Sequence, residues 1–87
     1  MNTEPTQEQT DATSRLEGAG LAAEMAEVSC SYAYGSALYE LREAVKAARC
    51  AGIPRGDVAA IASARVPNGL AGMTGKHLRK MLRRVYR

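Results

Sequence analysis

The chain has 87 residues, enough for one domain, with 12 Lys and Arg against 9 Asp and Glu and a formal charge of +3. Its apolar content is 46%, but 16 of those 40 residues are alanine and Phe and Trp are absent. So thin a core predicts a small all-α bundle of three to four helices, helped by self-association, and argues against an enzyme with an enclosed cleft.

The polar stretch 1–15 cannot bury enough surface to offset ordering. It is expected to be a disordered tail to a single helical domain over 16–87. With Glu4, Glu8 and Asp11 and no apolar run there, no secretory signal is expected. No stretch is long and apolar enough to span a membrane, and Cys30 and Cys50 make no disulfide framework, so a reduced cytoplasmic setting is expected. Each cysteine is read as a small buried apolar residue.

A first helix is predicted from about Gly20 to Val28, where Leu21, Met25 and Val28 fall at i, i+4, i+7. The next stripe is stronger, with Tyr34, Leu38, Leu41, Val45 and Ala48 on one face, Ser36 as N-cap and Gly52 just past the end. Tyr34 carries the stripe across Gly35, so 20–51 could form one helix or two. Tyr32, Tyr34 and Tyr39 are expected to pack or to line a subunit interface. A third helix starts at Pro54, with Asp57 favoured in its first turn, and Pro67 closes it. Residues 66–73 read as a loop. A fourth helix runs from an N-cap at Thr74 to the end.

The +3 is an average over two unlike parts. Residues 1–29 carry six acids and Arg15 alone, whereas 30–87 carry eleven bases and three acids. Six bases lie in the last fourteen residues. On a helical wheel Leu78, Met81, Leu82 and Val85 share about 100° of arc, and Lys76, Lys80, Arg83 and Arg87 lie opposite within about 60°. A ridge of like charge calls for a polyanion, and such a helix fits a major groove about 12 Å wide. The acidic N-terminal segment is the other candidate to cover that ridge.

Residues 41–83 resemble a helix-turn-helix DNA-binding domain. The resemblance lies in Leu41-Arg42-Glu43-Ala44-Val45-Lys46-Ala47-Ala48-Arg49, then Gly52-Ile53-Pro54, then Asp57-Val58-Ala59-Ala60-Ile61-Ala62. In size and layout the chain also resembles small plasmid and phage repressors, such as the Kor-type plasmid repressors. The resemblance implies a sequence-specific transcriptional repressor that binds double-stranded DNA as a homodimer, needs no cofactor and uses the last helix for recognition. It implies that Thr74, Lys76, His77, Arg79, Lys80, Arg83 and Arg84 meet DNA, and that Arg55 touches phosphate. It also implies that Ala59 lets the recognition helix cross closely while Val58 and Ile61 enter the core. The connection before that helix is about eight residues, longer than the usual three or four. The brace must come from the Leu21–Val28 helix or a second subunit. An accessory DNA-binder of conjugation or recombination, or a basic helix for an acidic partner or a membrane, are the alternatives.

Gly69-Leu70-Ala71-Gly72-Met73-Thr74-Gly75-Lys76-His77 comes near a phosphate-binding loop but fails its spacing at Leu70 and His77. Its glycines suit a flexible turn whose backbone could still meet a DNA phosphate at the helix start. With His77 the only histidine, no metal set is expected.

Overall fold

Thr6 starts the first helix. Its hydroxyl accepts from the Gln9 amide at 3.1 Å, and the Gln9 side chain accepts from the Thr6 amide at 3.0 Å. This reciprocal capping box pairs two of the donors that a helix start leaves open. In the computed structural model, which describes residues 4–87, helix α1 then runs Gln7–Val28. The expected disordered tail is therefore corrected. Residues 7–15 are helical, because the box nucleates them and Ala12 and Leu16 are buried. Residues 1–3 of that expectation lie outside the described residues.

Helix α2 spans Tyr34–Cys50, α3 spans Arg55–Ala62 and α4 spans Met73–Val85. The described residues contain no strand, so the all-α expectation holds. Residues 20–51 form two helices. The break is not at Gly35, which lies inside α2. It falls at Cys30, whose φ of 53° is left-handed. The Ser31 amide bonds the Ala26 carbonyl and the Cys30 amide bonds the Glu27 carbonyl. That is the Schellman pattern, with cysteine where glycine usually stands. Gly52, at φ 85°, ends α2 the same way, as expected. Ser36 does not cap α2. The turn is organised by Ser31, whose hydroxyl accepts from the Ala33 amide at 3.0 Å. Pro54 caps α3 and is one residue ahead of its first helical position.

α1 and α2 form an antiparallel pair, with Gln9 near Gly52 and Arg15 within 4.0 Å of Glu40. α4 lies parallel to α2 and is held at both ends. Tyr34 meets Thr74 at one end, and at the other the Tyr86 hydroxyl donates to the Ile53 carbonyl at 2.7 Å. α3 packs on α1, where Gly20 lies against the Ala62 backbone so closely that a Cβ would strike its carbonyl oxygen. Arg65, just past α3, pairs with Glu17 at 3.2 Å. The close crossing expected at Ala59 is thus absent. Ala59 is exposed and α3 hardly touches α4.

The core is aliphatic and alanine-rich. Leu16, Leu41, Val45 and Val58 are fully buried, with Ala23, Ala44, Ala48 and Ala62 filling the gaps between helices. α1 turns Ala12, Leu16, Gly20 and Ala23 inward. Its larger apolar residues, Met25 and Val28, are 62% and 74% exposed. Both cysteines are exposed rather than buried, because Cys30 sits in the turn and Cys50 ends α2 off its apolar stripe.

Candidate nucleic-acid interface

The start of α4 has no cap of its own, since its N-cap residue is Gly72. Glu27, on the last turn of α1, supplies one from across the molecule. Its Oε2 accepts from the Met73 amide at 3.1 Å. Its Oε1 accepts from the Thr74 amide at 2.8 Å and from the Thr74 hydroxyl at 2.6 Å. Because the Thr74 proton points to Glu27, the Tyr34 hydroxyl is the donor in its 2.9 Å bond to Thr74 Oγ1. The hydrogen bond from the Thr74 side chain, above all, holds the Glu27 carboxyl below its ordinary value of 4.5, with the Thr74 and Met73 amides adding to it. Burial pushes the Tyr34 phenol up from 10.0, and the neighbouring carboxylates Glu27 and Glu24 add to that.

This network removes Thr74 from the expected DNA contacts. Its side chain is fully buried, held by Glu27 and Tyr34. It also corrects the idea that the backbone here meets a phosphate. A carboxylate already takes the open amides and the positive end of the helix dipole. The positive potential therefore lies farther along α4.

There the sequence expectation and the structure agree on placement. Lys76, Arg79, Lys80, Arg83 and Arg84 are exposed, as is Arg87 beyond the helix end. His77 is half-buried, its ring edge-on to Tyr34 at 6.3 Å between centroids and 67° between planes. It serves packing more than display. Arg55 is exposed, and the Tyr86–Ile53 bond puts its neighbourhood at the C-terminal end of α4, far from Thr74.

Pairing separates the bases into two sets. Arg15, Arg42, Lys46 and Arg65 each have a carboxylate within 4.0 Å. Among the described residues no α4 base has an ion-pair partner, and neither do Arg87, Arg49 and Arg55. All of the unpaired bases thus lie on α4, just past its end, or at the α2–α3 corner tied to its last turn. The acids of α1 do not cover them. Glu8 and Asp11 are on the first turns of a helix that packs on α2 and α3.

One part of the surface was not singled out from the sequence. Between the parallel α2 and α4 runs an open groove of about 280 Å³, floored by Leu38, Met81 and Val85 and rimmed by Arg42, Lys80 and Arg84. It continues past Lys46 and Arg49 to Cys50. Arg42 also lies over the Tyr39 ring, 5.4 Å from its centre. The signal was present. Arg42, Lys46 and Arg49 stand at i, i+4, i+7 and so share a face of α2.

Among the described residues no three His, Cys, Asp or Glu side chains gather to hold a metal ion, and no helix is long and apolar enough to cross a membrane. Comparison with protein-family models, curated proteins and solved structures finds no match to this chain.

Proposed function

We propose that this chain is a sequence-specific DNA-binding transcriptional repressor that lays the exposed face of α4 in a major groove and acts as a homodimer. The observation that carries this reading is the segregation of unpaired bases onto α4 and its C-terminal end. Bases that serve the fold find acids. Bases left without one on a single face repel each other until an anion neutralises them. Phosphates along a duplex supply such anions in a row, and counterion release then contributes most of the affinity.

The reading differs from the helix-turn-helix pattern in two ways. α4 is braced by α1 and α2 rather than by α3, and Glu27 keeps phosphate away from its first turn. Lys76, Arg79, Lys80, Arg83 and Arg84 form the contact surface, with Arg55, Arg49 and Arg87 reaching backbone at its far end. Thr74 supports the helix from behind. Repression is steric: the bound protein covers an operator and excludes polymerase, without a cofactor.

Selection of bound sites from a random duplex pool tests this, followed by titration of the selected site against a scrambled one. Enrichment of a defined site supports the repressor reading. Equal affinity for all sequences would replace it with an accessory, architectural role, and no binding at low salt would remove DNA as the ligand. Lys80→Ala and Arg83→Ala should each weaken binding while leaving the helical circular dichroism unchanged.

A further inference from the structure

Two surfaces of this molecule are unexplained by its own fold. One is the outward face of α1, where the exposed Met25 and Val28 and the half-buried Leu21 form an apolar stripe. Along one side lies Glu24, which has no ion-pair partner among the described residues, while Glu17 beside it is taken by Arg65. The other is the groove between α2 and α4, with its apolar floor and basic rim. The first is a convex helix edge flanked by acid, and the second is a concave slot flanked by base.

We infer that the α1 stripe of one copy docks in the α2–α4 groove of a second copy. Charge decides the pairing. Two α1 faces laid together would bring the unpaired Glu24 of both copies into one contact, and two grooves laid together would oppose their arginines and lysines. Only the unlike combination sets acid against base while burying the exposed Met25 and Val28 on Leu38, Met81 and Val85. A phosphodiester backbone satisfies the rim but gains nothing from the apolar floor, so the groove suits protein. Lys80 and Arg84 border both surfaces, and in an associated copy they face the docked helix while Lys76, Arg79 and Arg83 remain for DNA. The contact is heterologous, because each copy contributes a different surface. Apolar burial supplies its affinity and the flanking charges its direction. One helix face in one groove is a small interface, so the association is expected in the micromolar range.

This rests on the self-association part of the proposed function and changes its form: the first contact makes a head-to-tail dimer with one stripe and one groove left open, rather than a closed two-fold pair. It is tested without DNA, so its failure leaves DNA binding standing, and a failure of DNA binding leaves it untouched. Sedimentation velocity of the full chain at up to about 100 μM reads the outcome. The wild type should associate, and raising the salt from about 50 mM to about 500 mM should weaken that association. Met25→Asp, which spoils the stripe, and Arg84→Glu, which spoils the rim, should each be monomeric, with affinity lowered at least about tenfold. Val28→Asp and Lys80→Glu repeat the pair, should either first variant lose its helical circular dichroism.

The deciding sample is a one-to-one mixture of a stripe variant with a rim variant. Each keeps the surface the other lacks, so the mixture should associate although neither does alone. A wild type that stays monomeric over this range overturns the inference. So does a rim variant that still self-associates, which is the behaviour of a symmetric α1–α1 contact, or a mixture that stays monomeric.

Discussion

The Thr74 hydroxyl has a single proton to donate, and Glu27 accepts it in a hydrogen bond. That bond fixes the direction of the whole chain from Tyr34 to the carboxylate and gives it a pH dependence. The folded-state Glu27 carboxyl is held below 4.5, so the unfolded chain binds its proton more readily. The stabilisation from this cap is therefore fully present above about pH 5 and is lost as pH falls through the lowered folded value. Glu27→Gln should melt at a lower temperature than wild type near neutral pH, and the gap should close as the pH is taken down towards 3. A gap that stays constant across that titration would show that the carboxylate charge contributes nothing. Cys30 poses a different residue-level question. Its left-handed φ of 53° costs a side chain that glycine lacks. Cys30→Gly should raise unfolding stability by about 1 kcal/mol, read in urea titration. Sequence could not find this turn, because the usual glycine marker stands five residues later, inside α2, where helix geometry absorbs it.

α1 shows how an element can be predicted over its C-terminal part alone, Gly20–Val28 of Gln7–Val28, and on the wrong face. Leu21, Met25 and Val28 are its largest apolar residues after Leu16 and follow helical spacing, yet the core takes Ala12, Leu16, Gly20 and Ala23. The reason is proximity. Small side chains let α3 approach until Gly20 meets the Ala62 carbonyl, and a bulkier stripe would hold the helices apart. A wheel weighted by hydrophobicity favours the larger residues and misses this. The same blindness hid the N-terminal half of α1, where alanine, threonine and glutamine carry almost no contrast between faces. α2 and α4 were legible because leucine and valine, joined in α4 by methionine, alternate with charge in both. The two glycines of α1 make the point measurable. Gly18 faces open space, so Gly18→Ala should stabilise by up to about 1 kcal/mol. Gly20→Ala, two residues on, should destabilise by about 1–3 kcal/mol, because its methyl meets backbone that cannot turn aside. Equal effects in thermal unfolding would contradict this packing.

At the scale of the molecule, 46 × 26 × 19 Å in extent, the long antiparallel α1–α2 pair is a frame and α4 is mounted along it. The position of the basic ridge was legible from wheel geometry and charge count alone. What sequence could not show was which bases the fold already uses, since the partners of Arg15 and Arg65 come from other elements. Nor could it show that Thr74, an apparent cap, faces inward to an acid 47 residues earlier. If most of the exposed bases on and after α4 meet phosphate, affinity for a duplex should fall with salt with a log–log slope on the order of −5 per subunit. Removing Arg83 alone should reduce that slope by about 1. A slope near zero would mean that the ridge does not engage the backbone.

The two-ended attachment of α4 has a mechanical consequence. Glu27 and Tyr34 secure its first turn, and Tyr86 secures its last. A rod pinned at both ends cannot pivot towards a ligand. Amide protons at Met73 and Thr74 should then exchange slowly for a helix start, which usually frays first. Any mismatch in shape between the ridge and what it meets has to be absorbed by the ligand, so a duplex that bends easily would be held more tightly than a stiff one carrying the same charges.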